Sequence, residues 1–427
     1  MNLRKFTPDH IFEKIGIDVK PLFLKSTKYS SNDIAKISEI LRIDSRQILS
    51  NYKIPDFLYC SAEDLYKTKR KIRRDGIDFY NYYSLPAPEN YTSPVILDIL
   101  CPSGKLPKLN NGHFEEAITI NLGPDDIYGR WDEDVSKPDA FSKMFSNKGK
   151  ENWIVGDTYF EPSYCKHSYS LADNSLSARI LSYTSFNDLI SFRTLLDNRN
   201  LSINSELINH LSQNITFQII DRYRSLMMIE ILDFCQMIQM DKKDYFELGN
   251  KPLSQREVKL ISKALKIDSR LLISQPNEGD SLGKEYFSYQ DSIKNIRSYK
   301  GLTVAPMASS RRAPDLKGSF IKVNSHISHV ISFGVDIHYL VTGGSVELVL
   351  YNSGEVVRNI KMSKDHSIWI SAFQEHSISG KGSLVMLSNG QSLSYTSYYA
   401  ASNSWDSKLV FQRLLKDNVC WGYECDD

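Results

Sequence analysis

Two spacings of apolar residues alternate along this chain. Residues 6–49 carry them at helical intervals, Ile11, Ile15 and Ile17, then Ile34, Ile37, Ile40 and Leu41 behind the N-cap cluster Ser30-Ser31-Asn32-Asp33. This predicts a small helical bundle whose second half, residues 31–50, resembles a helix-turn-helix. The period then falls to that of β-strands. Residues 77–83, 95–100, 117–122, 153–155 and 178–183 are predicted strands, parted by turn sequences such as Gly123-Pro124-Asp125-Asp126. Helical spacing returns over residues 187–240, and a second strand run follows at 319–323, 338–341, 346–350, 367–370 and 383–387.

The two halves are copies of one another. At an offset of 224, AKISEILRIDSRQILS (35–50) faces KLISKALKIDSRLLIS (259–274), with eight of sixteen positions identical and Ile-Asp-Ser-Arg intact at 43–46 and 267–270. The expected fold class is α+β, a tandem repeat of a helix-turn-helix-like unit followed by a jelly-roll β-barrel. Expected boundaries are 1–55 for the first helical unit, 56–185 for the first barrel, 186–280 for a helical linker and second unit, and 281–427 for the second barrel.

Composition narrows the function classes. The 427 residues are 41% hydrophobic and 24% charged, ordinary globular values, and 52 basic against 51 acidic side chains leave a net charge of +1. No global field draws the chain to nucleic acid or an anionic membrane, so any anion is caught locally. No run of eighteen apolar residues is present, which argues against a membrane span. Six scattered cysteines and an opening Met1-Asn2-Leu3-Arg4-Lys5 without an apolar run lead to the expectation of a cytoplasmic protein, with a homo-oligomer left open.

Chemistry concentrates in the first barrel. His113 follows Asn110-Asn111-Gly112, and Glu161 and His167 share the segment Tyr-Phe-Glu-Pro-Ser-Tyr-Cys-Lys-His. Two imidazoles and a carboxylate that leave positions open suit a mononuclear Fe(II) site for substrate and O2, and a zinc hydrolase on the same ligands is the competing reading. Pro162 bends the strand between the last two. Lys5, Arg74, Tyr82, Asn110 and Ser182 are donors suited to a phosphate or phosphonate, although Arg74 also ends the solvated charge run 67–74. The second barrel has His326, His329, His338, His366 and His376, but the position six before His376 is Ile370 rather than a carboxylate, so it reads as a degenerate copy without metal. A transcription regulator joining the helix-turn-helix to a ligand-sensing barrel is the rival class. Asp33, Glu39 and Asp44 oppose the basic face such a protein needs, so nucleic acid is not the expected partner.

Several motifs together resemble one family. They are Arg74-Asp75-Gly76, Phe79-Tyr80-Asn81-Tyr82-Tyr83, Leu97-Asp98-Ile99-Leu100-Cys101-Pro102-Ser103, Asn110-Asn111-Gly112-His113, Asn121-Leu122-Gly123-Pro124 and Glu161-Pro162-Ser163-Tyr164-Cys165. The match, from Arg4-Lys5 to Gly422-Tyr423, is to the cupin iron enzymes that comprise 2-hydroxyethylphosphonate dioxygenase and methylphosphonate synthase. The resemblance implies an Fe(II) cofactor, no 2-oxoglutarate, and O2-dependent cleavage of 2-hydroxyethylphosphonate to hydroxymethylphosphonate and formate. It implies iron ligands at His113, Glu161 and His167, phosphonate contacts from Arg74, Tyr82, Asn110 and Ser182, a lysine at Lys5, and a pocket tyrosine at Tyr159. The sister reaction yields methylphosphonate and carbon dioxide, and in the family it goes with a glutamine four residues after the first histidine. That glutamine stands in place of the glutamate; here the position is Ala117 and Glu161 is present, which favours the dioxygenase.

Overall fold

Helices start where a short polar side chain stands before an apolar run. Ser30 and Ser254 each accept the backbone N–H three residues on, from Asp33 and Glu257, whose carboxylates accept the N–H of the serines in return. The helices Ser31–Leu41 and Gln255–Leu265 then end alike, on Arg42 (φ 48°) and Lys266 (φ 50°), with Ile43 N–H bonded to Ser38 O and Ile267 N–H to Ser262 O. The duplication therefore extends to the caps. This computed structural model describes residues 6–19, 29–43, 45, 54–89, 91–150, 153–186, 215–273, 279–325, 329–404 and 406–416. Lys5, Asp44, residues 46–50, His326, Cys420 and Cys425 lie outside them.

The second helix expected after residue 266 is a single 3-10 turn, Ser269–Leu272. The Asp268 carboxylate binds Arg270 N–H, and the bonds that follow span three residues rather than four, so only one turn closes. That turn belongs to a compact helical unit, Asn187–Gly283, whose described helices pack around Phe217, Ile220, Phe234, Tyr245, Ile261 and Leu265. None of the described helices is long and apolar enough to cross a membrane.

The other compact unit comprises Met1–Phe186 and Lys284–Asp427 and holds both barrels. Its first half supplies β1 (Phe57–Cys60), β2 (Arg70–Arg74), β3 (Ile77–Ser84), β4 (Val95–Ile99), β5 (Ala117–Pro124), β6 (Ile127–Arg130), β7 (Phe141–Met144), β8 (Thr158–Glu161), β9 (Ser168–Leu171) and β10 (Ala178–Thr184). Its second half supplies β11 (Glu285–Phe287), β12 (Arg297–Tyr299), β13 (Leu302–Pro306), β14 (Lys317–Ser325), β15 (Ile337–Asn352), β16 (Glu355–Ser363), β17 (Ser367–Ile370) and β18 (His376–Ser388). The strands expected at 338–341 and 346–350 are one, β15, kinked by a register change between Val341 and Gly343. Residues 153–155 form no strand, because Asn147 satisfies their backbone: its amide donates to Trp153 O and its carbonyl oxygen accepts from Val155 N–H.

The first barrel joins β11-β8-β5-β10-β4-β3-β2 to a smaller sheet, β7-β6-β9. The second is β1-β17-β15-β18-β14-β13-β12, with β16 on β15. Each half lends a strand to the other. β1 pairs with β17 and β11 with β8, so segments 56–185 and 281–427 complete each other's sheets.

The largest core lies between the barrels. Ile118, Ile120 and Leu122 of β5 meet Phe320, Leu340 and Leu387 of the second half there, together with Phe160 and Leu181. Strand alternation then turns Ala117, Thr119 and Asn121 to the opposite face, inside the first barrel. Apolar alternation in β5 marks the outside of the barrel.

Candidate metal centre

Register decides which side chains share that interior. Ala117 stands opposite Glu161, Thr119 opposite both Tyr159 and Ser182, and Ser182 opposite Val95. Val95 in turn faces Ser84, two residues from Tyr82. Paired residues point to one side of a sheet, so Glu161, Tyr159, Thr119, Ser182 and Tyr82 line one face.

Two loops close over it and bring the histidines together. Asn110 N–H donates to His167 O at 3.2 Å, the Asn110 side-chain oxygen accepts His167 N–H at 2.9 Å, and Tyr164 N–H donates to His113 O at 2.6 Å. Gly112 (φ +73°) permits this approach, because a Cβ there would lie 2.6 Å from the Tyr164 carbonyl carbon. The rings of His113 and His167 end 5.4 Å apart between centroids. His113 Nδ1 donates to Glu115 O at 2.6 Å and His167 Nδ1 to Cys165 O at 2.9 Å. A carbonyl only accepts, so each Nδ1 carries a proton, which leaves Nε2 as the nitrogen each ring has to offer a metal.

Glu161 is 1% exposed and held by three donors. Trp131 Nε1 and Tyr169 OH both reach Oε1 at 2.7 Å, and Thr119 Oγ1 reaches Oε2 at 2.8 Å. Burial pushes the carboxyl up, but the positive charge that the neighbouring His167 ring can carry and these donors outweigh burial and hold it below the ordinary range. Burial and the adjacent carboxylate push the Tyr169 hydroxyl well above its ordinary value, so it remains a donor. Of the roughly four lone-pair positions of a carboxylate, three are taken and one on Oε2 is left.

Two imidazole Nε2 atoms and one carboxylate oxygen, each oriented by a second hydrogen bond, fit a divalent metal. Among the described residues, however, no three His, Cys, Asp or Glu side chains already converge as a cluster. Asn110 Nδ2 stands 2.9 Å from His167 Nε2. Arg74 lies close by, donating to Lys108 O at 3.0 Å with Ser168 Oγ at 3.5 Å, one residue from His167. Tyr82 is half-buried, its ring 5.8 Å from Tyr80. Tyr159 OH meets Ser142 Oγ at 2.8 Å, and its ring stacks between Trp131 and Tyr286. Lys5 lies outside the described residues.

A family model described as the 2-hydroxyethylphosphonate dioxygenase cupin-like domain matches residues 66–185. Over 99% of this chain and 97% of the relative, the sequence is 32% identical to a 2-hydroxyethylphosphonate dioxygenase from Streptomyces viridochromogenes. The chain belongs to the 2-hydroxyethylphosphonate dioxygenase family. Solved structures agree. A variant of 2-hydroxyethylphosphonate dioxygenase, 31% identical, superposes with a TM-score of 0.83 over 97% of this chain and 98% of that one. PhpD with cadmium, complexed with hydroxyethylphosphonate, is 32% identical with a TM-score of 0.80, covering 97% of each chain.

Every candidate site residue except Lys5 falls inside the span matched by the 2-hydroxyethylphosphonate dioxygenase family model. Sequence reasoning missed Thr119, Trp131 and Tyr169, the three donors to Glu161. Tyr169 carries a faint signal, since it follows His167 by two and so shares its side of a strand. Trp131 carries none, being brought to Glu161 from the end of β6 by the smaller sheet.

Proposed function

We propose that this protein cleaves the carbon-carbon bond of 2-hydroxyethylphosphonate with O2, using Fe(II) and no 2-oxoglutarate, to give hydroxymethylphosphonate and formate. The observation that carries the reading is the donor set: two histidines whose Nδ1 protons are committed to backbone carbonyls, and a carboxylate with one lone pair left. His113, Glu161 and His167 would hold the iron. Iron, when bound, supplies the one-electron chemistry that lets O2 react with a C–H bond. The stoichiometry closes, because one substrate and one O2 contain the atoms of both products and the substrate provides all four electrons.

The remaining residues bind and orient. Arg74 is placed to grip phosphonate oxygens with its planar fork, and it trades a neutral carbonyl, Lys108 O, for a charged ligand. Asn110 turns its amide from His167 Nε2 to the same anion, which couples substrate binding to release of that ring nitrogen. Tyr82 and Ser182, on the inner face, and Lys5 complete the anion contacts. Tyr159, fixed by Ser142 and two aromatic neighbours, is a rigid donor on the wall. Holding the substrate in one pose matters, because a radical formed on a loosely held chain has several fates.

Ala117 supports the dioxygenase outcome over the methylphosphonate outcome. It lies directly across from Glu161, where a longer polar side chain would compete as ligand, and its methyl group has nothing to coordinate with. Anaerobic loading with Fe(II), then O2 and 2-hydroxyethylphosphonate, is expected to give formate equal to substrate consumed. Methylphosphonate with carbon dioxide would reassign the products, and no turnover of any phosphonate would overturn the proposal.

A further inference from the structure

Lys284 is a lysine with 1% exposure, and the exchanged strand carries it into the first barrel from the second half of the chain. Burying an ammonium is costly unless the fold gives it a use or a partner. Its Nζ lies 4.5 Å from the centroid of the Trp131 ring and 5.7 Å from that of Tyr159, and it donates to Asp139 O at 2.9 Å. Trp131 is the indole whose N–H donates to Glu161 at 2.7 Å. A cation on the face of an indole draws density from the ring, which makes the ring N–H a stronger donor.

Register adds an independent observation. β11 pairs Glu285 with Phe160 and Tyr286 with Tyr159, so one residue further on Lys284 is level with Glu161. The duplicate strand β1 pairs Phe57 with Ile370 at the same place in the second barrel. The buried cation and the carboxylate are both present in one barrel, and both are apolar in the other.

We infer that Lys284 is a positioning residue for Glu161. It acts through Trp131, pinning carboxylate Oε1 so that Oε2 keeps the lone pair offered to the metal. The inference rests on the metal reading above and adds to it a control from the other half of the chain. Second partners of metal ligands of this kind typically govern affinity by about 10- to 100-fold.

The test is a Co(II) titration of the full chain, followed by visible absorption, for wild type, Lys284→Met, Lys284→Arg, Trp131→Phe and the double variant Lys284→Met with Trp131→Phe. Thermal melts run alongside. Lys284→Met is expected to weaken Co(II) binding about 10-fold or more and to move the absorption bands, while Lys284→Arg, which keeps the cation, stays within a few-fold of wild type. The double variant is expected to bind no more weakly than the worse single one, because both break one relay. Wild-type affinity in a folded Lys284→Met protein, or losses that multiply in the double variant, would overturn the inference. Should Lys284→Met fail to fold, Trp131→Phe decides, since it keeps an aromatic face and removes the indole N–H together with the five-membered ring that carries it; unchanged affinity there overturns the inference as well. If the wild-type protein itself binds no Co(II), or His113→Ala binds as well as wild type, the metal reading is what fails.

Discussion

Position for position, the two barrels share a frame and differ in what lines it. Register equates β8 with β17, β5 with β15, β10 with β18 and β3 with β13. Glu161 then corresponds to Ile370, Tyr159 to Ile368, Thr119 to Tyr339, Ser182 to Met386 and Tyr82 to Val304. Even the loops agree. Tyr164 (φ 57°) and Phe373 (φ 65°) each stand three residues before a histidine and give their N–H, at 2.6 Å, to His113 O and Phe333 O. His376 also repeats the bond of its counterpart, with Nδ1 donating to Gln374 O as His167 does to Cys165 O. Its Nε2 meets the Tyr339 hydroxyl instead, and the interior around it is Ile331, Ile337, Val341, Leu348, Ile368 and Ile370. The same scaffold thus encloses polar side chains in the copy with one apolar face and an apolar core in the copy with two.

The sharpest way to break this comparison is to remove equivalent side chains. Glu161→Ala or His113→Ala is expected to abolish metal binding and turnover, seen as metal content and formate yield. His376→Leu is expected to leave both near wild type and to cost roughly 1–3 kcal/mol of stability, the price of lost buried hydrogen bonds. Loss of turnover in His376→Leu would mean that the second barrel takes part in the reaction.

Next in size is the contrast between two loop glycines. Gly112→Ala places a Cβ 2.6 Å from the Tyr164 backbone at φ +73°, so the two histidine loops must separate. An expected fall of at least about 10-fold in metal affinity would accompany roughly 2 kcal/mol of destabilisation. Gly334→Ala meets chiefly the Tyr398 hydroxyl, at 2.7 Å, the end of a side chain that can swing away. It is expected to cost less than half as much, and equal losses would show that the Gly112 contact has no special role.

Acid separates the barrels differently. Burial pushes His376 down to about 4 and His338 to about 3, against an unfolded value near 6.5. Both are neutral when folded, so the unfolded chain takes up protons first as pH falls below about 6.5, and each histidine removes roughly 1.4 kcal/mol of stability per pH unit until its folded value is reached. Glu161 has a lowered folded value, so its contribution holds above the ordinary carboxylate range and is lost only as pH falls through that lower value. Urea midpoints between pH 7 and 5 are therefore expected to drop in wild type and to drop about half as steeply in His376→Leu, where His338 remains. An unchanged slope would place the acid sensitivity elsewhere.

The chain announces part of this and conceals the rest. The cap cluster at Ser30 and the strands at 117–122 and 367–370 are local patterns, and local physics is legible in one dimension, whereas the approach of His113 to His167 depends on two loops distant in sequence. Alternation in Ala117-Ile118-Thr119-Ile120 says that there are two faces but not which looks inward, because that depends on the second barrel covering Ile118 and Ile120. The exchange of β1 and β11 is a choice between equally suited sheet edges far apart in sequence. Lys284, in Gly283-Lys284-Glu285, reads as one more surface lysine until that pairing is known.

The smallest expected effect concerns the exchanged strands themselves. Tyr286 on β11 and Tyr59 on β1 are equivalent, facing Tyr159 and Ile368. Tyr286 OH donates to Asp157 at 2.9 Å, a carboxylate with 0% exposure that also accepts Phe145 N–H and Tyr289 N–H. Tyr59 OH meets His366 Nδ1 at 2.6 Å on the exposed side of the sheet. Removing a donor from a buried carboxylate leaves an acceptor that water does not reach, whereas solvent replaces the lost partner at His366. Tyr286→Phe is accordingly expected to lower stability by roughly 1–2 kcal/mol and Tyr59→Phe by about half that or less, read from urea midpoints. A larger loss at Tyr59 would mean that the second barrel depends more on its borrowed strand than the first does.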